Sequence, residues 1–367
     1  MRYKLLGEGA MVLEGRLDEL AEAEAVIFDC DGVLIDSTKS YHLADRIATC
    51  IILDKLYGVK PFLGEDFEDA LRRIEVLGGF NNDWHKTALM IQAISIHLKP
   101  PKTIRRDLGR IDVSGYVKRC EVGESSPEEV KTAIDWVRVR AGEMYGRYVD
   151  LKFFEKELEE EAKKLGRIEE LNELREALGP LTGYGSGLLT TLYDEIYLGE
   201  EGIREKYGSE PRYVSWRGLL DREVVLVQEE VLEELLRLLP RGIAMATGRG
   251  RWETEKVLGG LTRYFDLDVG VFSADDPMSY EKPSSKILLE CSRRLGAGRI
   301  IYVGDSFEDL LSARRASEEG LDALFVGVLT NPYSLDLFIE QEADAIIDDV
   351  NVLPRILKKE EKFWSPY

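Results

Sequence analysis

The chain has 367 residues, 44% of them hydrophobic and 32% charged, enough for one large core and a second compact unit. Its formal net charge of -20 disfavours nucleic acid and anionic membrane surfaces as partners, and it would repel an anionic small molecule too unless the site brought its own metal, Lys or Arg. No apolar run reaches signal or membrane-spanning length, and Cys30, Cys50, Cys120 and Cys291 lack metal spacing, so a cytoplasmic protein without a zinc site is expected.

In chain order, the first strong signal is the apolar run Ala25-Val26-Ile27-Phe28, which leads into Asp29-Cys30-Asp31-Gly32. It reads as a buried strand ending in an acidic loop bent at a glycine. From there the texture changes to long, charged segments of helical period over 41–57, 66–77, 83–98, 127–148 and 151–178. Breaks at Lys99-Pro100-Pro101, at 122–127 and at Gly179-Pro180 punctuate them, since clustered proline and glycine interrupt a helix. Strand-like runs return at 242–246, before Thr247-Gly248-Arg249, and at 299–303, before Gly304-Asp305. Two more follow at 323–326 and 345–347, with helical patterns at 229–239, 284–295 and 307–317.

Strands alternating with helices of that length predict an α/β fold: an open, mostly parallel Rossmann-like sheet with helices on both faces. The catalytic core is expected over 1–36 and 222–367, with a large helical cap domain inserted at 37–221. Ligands of such sheets bind beyond the carboxyl ends of the strands, where each acidic or hydroxyl motif of this chain falls.

Phosphoryl transfer to a carboxylate needs a nucleophile, an acid for the leaving oxygen, a divalent cation and groups that hold the transferred oxygens. Asp29 is the candidate nucleophile. Asp31, two residues on, points the same way if the segment stays extended, and is the candidate acid and base. Gly32 lets the backbone approach a phosphate. Asp305 and Asp309 stand where a strand gives way to a helix, four residues apart, so that both can face one cation; hard oxygen ligands favour Mg2+. Thr247 offers a hydroxyl and Gly248 a backbone N–H at a helix start. Lys282, in Glu281-Lys282-Pro283, supplies the positive charge that the acidic surface makes necessary.

Asp29-Cys30-Asp31-Gly32-Val33-Leu34-Ile35-Asp36-Ser37, Thr247-Gly248, Lys282-Pro283 and Gly304-Asp305 through Asp309 together resemble the four ordered motifs of the haloacid dehalogenase superfamily, particularly its phosphoglycolate-phosphatase-like branch. The likeness covers 24–40 and 222–353. It implies that Asp29 is both nucleophile and metal ligand, and that Asp31 is general acid/base and gives a backbone carbonyl to magnesium. It also implies that Asp305 is a metal ligand, that Asp309 supports the metal or Lys282, and that Thr247 and Lys282 hold the phosphoryl group. The dehalogenases of the superfamily lack an acid/base at the second Asp, so Asp31 argues for phosphate chemistry. Two features depart from the pattern: Gly-Arg follows Thr247 where close relatives often have Asn, and the insertion is far longer than the usual cap. Its segments Gly79-Phe80-Asn81-Asn82-Asp83-Trp84 and 192–199 are similar to an uncharacterised subgroup of these phosphatases.

The expected activity is that of a phosphatase on a small phosphorylated metabolite, through a phosphoaspartate. A phosphomutase of the same fold and a non-catalytic interaction protein using the cap surface are the alternatives. Asn81, Asn82 and Trp84 read equally as substrate contacts or as a helix start, with Asn82 or Asp83 as the cap. Arg249 and Arg251 read as anion contacts or as ion-pair partners of the acidic cap. Gly183 to Gly187 reads as a connection more readily than as a phosphate loop, because no strand precedes it. His42, His85 and His97 read as surface or cap-core residues, and Asp36 as a hinge or capping residue. Scarce Gln beside abundant Glu, Lys and Arg is a composition of proteins from hot environments, where an intracellular disulfide stays open. Oligomeric state and natural substrate are not legible.

Overall fold

The run Ala25–Phe28 is buried at every position, as a strand covered on both faces must be, and it takes the middle of a sheet. The computed structural model describes residues 2–80, 82–101, 108–121, 126–275 and 280–360. They divide into two compact units, one of Met1–Ser37 with Glu223–Tyr367 and one of Thr38–Arg222.

In the first unit the strands are β1 (Tyr3–Leu5), β2 (Ala10–Leu13), β3 (Ala25–Phe28), β4 (Ile35–Asp36), β5 (Val224–Val225), β6 (Ile243–Thr247), β7 (Val271–Phe272), β8 (Arg299–Gly304), β9 (Asp322–Val328) and β10 (Ala345–Ile347). Eight of them make one sheet in the order β1-β2-β10-β9-β8-β3-β6-β7, while β4 and β5 pair as a separate antiparallel ribbon. From β10 to β7 every neighbouring pair is parallel, the Rossmann-like α/β arrangement expected of alternating strands and helices. The amino-terminal hairpin of β1 and β2 adds an antiparallel edge through Val12, which pairs with Ala345.

Because β3 lies between β8 and β6, the chain leaves it toward one edge and returns on its other side. That reversal opens a crevice beyond the carboxyl ends of β3 and β8. Their register sets Phe28 opposite Val303, so Asp29 and Gly304 emerge side by side.

The second unit carries the helices Thr38–Tyr57, Glu65–Glu75, Asp83–His97, Ser114–Glu121, Glu128–Glu143, Leu151–Leu165, Ile168–Leu178 and Leu188–Tyr207. Asp83–His97 is buried from Lys86 to Ile96, which explains its weak amphipathic pattern: the helices Thr38–Tyr57, Glu128–Glu143, Leu151–Leu165 and Ile168–Leu178 surround it. The helical pattern over 151–178 is two helices, divided where Gly166 takes the left-handed conformation (φ 69, ψ 35). Among the described residues, no helix is long and apolar enough to cross a membrane.

Candidate active site

The loop after β3 turns tightly on one carbonyl: Leu34 and Ile35 both donate their N–H to Cys30 O, at 2.8 and 3.0 Å, and Gly32 N–H donates to Ile35 O at 2.8 Å. Gly32 has φ +72, and a Cβ there would lie 1.9 Å from Asp305 Oδ2. Only glycine lets the β3 loop come that close to the β8 loop. A second such approach follows β8, where a Cβ on Gly304 would meet Asp309 Cβ at 2.4 Å. Asp309 is set by a capping box: Ser306 Oγ accepts from Asp309 N–H at 3.2 Å, and Ser306 N–H donates to Asp309 Oδ2 at 3.1 Å.

These loops bring one carboxylate oxygen each of Asp29, Asp305 and Asp309 within 4.8 Å of one another. Lys282 enters the cluster with its side chain wholly buried, its Nζ 2.9 Å from Asp29 Oδ1 and 2.6 Å from Asp309 Oδ1. Asp309 Oδ1 also accepts from the Tyr302 hydroxyl at 2.7 Å, and Oδ2 from the Ser306 hydroxyl at 2.7 Å. Both of its oxygens are therefore engaged by protein, which makes Asp309 the anchor of Lys282. Asp305 accepts from Thr330 Oγ1 at 2.6 Å.

The electrostatics follow from three clustered carboxylates, two of them buried and paired with one ammonium. Burial, opposed by Lys282 and reinforced by the charges of Asp309 and Asp31, pushes Asp29 up to about 6. Burial and then Asp309 and Asp29 raise Asp305 well above the usual carboxylate range. Burial works against ionising Asp309 as well, but Lys282 and the hydrogen bonds from Ser306 and Tyr302 outweigh it and hold it low. Asp29 Oδ1, although ion-paired, is a buried oxygen without a hydrogen-bond donor in good geometry. An oxygen-rich group with a surplus of negative charge and an undersatisfied carboxylate fits a hard divalent cation held by Asp29 and Asp305.

Thr247, fully buried at the end of β6, accepts from Arg249 N–H at 3.2 Å. Asp31 is not in the three-carboxylate group. Its carboxylate is paired with Arg249 instead, Nη1 to Oδ1 at 2.7 Å, and Arg249 Nη2 pairs with Glu223. Arg249 is thus bound to carboxylates of its own unit, and Arg251 likewise, through Glu255 at 2.9 Å and Asp268 at 2.8 Å. Glu223, Tyr302, Thr330 and Ser306 were not read from the sequence. Ser306-Phe307-Glu308-Asp309 carries a capping signature that could have been found; the others carry no local signal.

In the helical unit, Asn82 caps the helix Asp83–His97, its Oδ1 accepting from Trp84 N–H at 2.9 Å, and the Trp84 indole donates to Asp194 Oδ1 at 3.0 Å. Asn81 lies outside the described residues. Gly183 to Gly187 forms the turn ahead of the helix Leu188–Tyr207, where Gly187 N–H donates to Thr190 Oγ1 at 3.1 Å. His42 is buried against Glu75 at 2.8 Å, and Lys86 bridges Glu75 at 2.9 Å and Asp83 at 2.7 Å.

Comparison with known proteins adds partial relatives. No family model matches the chain. It is 31% identical over 138 residues to the phosphoglycolate phosphatase of Agrobacterium fabrum, a match covering 35% of this chain and 54% of that protein. It is 33% identical over 133 residues to an imidazoleglycerol-phosphate dehydratase of Phytophthora nicotianae, covering 35% of this chain and 27% of the relative. The chain thus spans about half of the first relative and about a quarter of the second. An X-ray structure of a Northeast Structural Genomics Consortium target shares the fold, with a TM-score of 0.57 at 18% identity, covering 92% of this chain and 98% of its own. The resemblance to the phosphoglycolate-phosphatase-like branch of the haloacid dehalogenase superfamily, read from the motifs, is borne out at the level of fold and partial relatives.

Proposed function

We propose that this chain is a phosphoric monoester hydrolase of the haloacid dehalogenase type, acting on a small phosphorylated metabolite through a phosphoaspartate and depending on magnesium. The observation that carries the reading is the convergence of Asp29, Asp305 and Asp309 within 4.8 Å of one another around Lys282, at the sheet's reversal point. A phosphatase relative supports it through sequence.

Asp29 attacks phosphorus, and the bond from phosphorus to the leaving oxygen breaks. Asp31, protonated, gives its proton to that oxygen, then takes one from the water that attacks the phosphoaspartate. Lys282 and the Thr247 hydroxyl hold the transferred oxygens, while Asp309 keeps Lys282 in place. Asp29 and Asp305 would hold magnesium, which when bound neutralises the phosphoryl oxygens and lessens repulsion between phosphate and carboxylates.

The test is release of inorganic phosphate from p-nitrophenyl phosphate and from a panel of phosphorylated metabolites, with and without magnesium. Magnesium-dependent turnover that Asp29→Asn abolishes is expected, with no bisphosphate formed, which separates hydrolysis from phosphomutase chemistry. Turnover by Asp29→Asn at the wild-type rate, or none by the wild type on any ester, would overturn the proposal.

A further inference from the structure

The Gly-Arg that follows Thr247, where close relatives often have Asn, is the departure that the reaction scheme leaves unexplained. A guanidinium with no solvent contact must be paired, because an uncompensated buried charge costs several kcal/mol. Arg249 has two carboxylate partners, and they differ. The Glu223 side chain is fully buried, whereas 29% of the Asp31 side chain is exposed. Of the two, Asp31 is the one open to a ligand.

The backbone brings the three together. Asp31 bridges Ile35, the first residue of β4, and Asp36 of β4 pairs with Val224 of β5. Glu223 immediately precedes β5, at the point where the chain re-enters the first unit. The small ribbon therefore delivers a carboxylate to the far side of Arg249. On the near side, Arg249 binds one oxygen of Asp31, Oδ1, and leaves Oδ2 for proton transfer.

We infer that Arg249 and Glu223 are positioning residues: Glu223 fixes the guanidinium, and the guanidinium fixes the Asp31 carboxylate in the pose from which it exchanges a proton with the leaving group. The inference rests on the phosphatase reading and on Asp31 as its acid/base. It explains why the position is Arg rather than Lys, since a planar fork can grip two carboxylates at fixed angles where a single ammonium cannot.

The experiment compares kcat/KM on p-nitrophenyl phosphate, whose leaving group departs without help, and on phenyl phosphate, whose leaving group needs a proton. Wild type, Arg249→Lys, Glu223→Gln and Asp31→Asn are measured, each checked for a cooperative thermal transition. Arg249→Lys keeps the charge and Glu223→Gln keeps the shape, so if one variant fails to fold the other still carries the test. The expected result is that each lowers kcat/KM for phenyl phosphate about tenfold more than for p-nitrophenyl phosphate, a fraction of a general acid's usual contribution. Combining Arg249→Lys with Asp31→Asn should add nothing to the loss from Asp31→Asn alone. Equal losses on both esters, or additive losses in the double variant, would overturn the inference while leaving the phosphatase reading intact. A wild type inactive on both esters would remove that reading and this inference together.

Discussion

Gly32→Ala tests how closely the two acidic loops must approach. The added Cβ would stand 1.9 Å from Asp305 Oδ2 and 2.4 Å from its Cγ, at a backbone φ of +72. To reach an ordinary contact of 3.4 Å, the Asp305 carboxylate must retreat by about 1.5 Å, losing the 2.6 Å hydrogen bond from Thr330. Left-handed strain for alanine costs roughly 1–2 kcal/mol, and the lost hydrogen bond about 1 kcal/mol more, so the variant should be less stable by about 2–3 kcal/mol yet still fold. Its larger effect should be on magnesium, because a ligand displaced by that distance leaves the shared oxygen group. In wild type, magnesium at ten times its Kd should stabilise the native state by about 1.4 kcal/mol. For a unit of this size that is a rise in Tm of roughly 3–6 °C. Thermal unfolding over a magnesium series should show this rise in wild type and little or none in Gly32→Ala. A variant with the wild-type magnesium midpoint would refute the claim that the β3 and β8 loops share one cation.

Two further perturbations probe the helical unit. Burial disfavours charge on His42, but Glu75 and Glu68 outweigh it and raise the imidazole from 6.5 to about 9. A raised histidine contributes stability that is whole below about pH 6.5 and lost as pH rises through about 9. Urea unfolding between pH 7.5 and 9.5 should therefore show a decline on the order of 2 kcal/mol that His42→Gln lacks; a parallel decline in the variant would count against it. Glu195, fully buried, accepts the backbone N–H groups of Arg212, Tyr213 and Val214, the last two at 2.7 and 3.0 Å. Glu195→Ala should cost about 3 kcal/mol or more, by stranding buried donors, and Glu195→Gln much less; equal losses in Tm would refute this account.

Strands carrying a continuous apolar run were legible because burial on both faces demands such a run, as in Ala25–Phe28 and the stretch before Gly304. The hairpin of β1 and β2 was not. Its strands are only three and four residues long, and it joins the sheet through the pairing of β2 with β10, which lies more than 300 residues away. Glycine was informative in both directions: Gly32 announced a close approach, but Gly166 was passed over inside a helical pattern that it in fact divides. The acidic motifs at the strand ends could be placed because a parallel sheet fixes where such ends meet. Glu223 could not, since nothing local distinguishes it from its acidic neighbours. Its role depends on the return crossing from the helical unit and on the two-residue pairing of β4 with β5.

Among the described residues, three buried cations follow one rule in a chain whose net charge is -20. Lys282 lies between Asp29 and Asp309, Arg249 between Asp31 and Glu223, and Lys86 between Glu75 and Asp83. One cation between two carboxylates leaves each group with a surplus of negative charge when all are ionised. In the interior that surplus is costly unless further hydrogen bonds or a bound ion relieve it. The helical unit relieves its group within the protein: His42, raised to about 9, brings a second positive charge to Glu75. Each group also gathers a third carboxylate, Asp45 near Lys86 and Asp305 near Asp29, and each keeps a buried carboxylate oxygen without a well-placed donor, Asp45 Oδ2 and Asp29 Oδ1. The two groups share a construction and differ in the second positive charge. The first has it from His42, a side chain of its own unit. The second has no histidine beside it among the described residues, and a divalent cation would supply that charge.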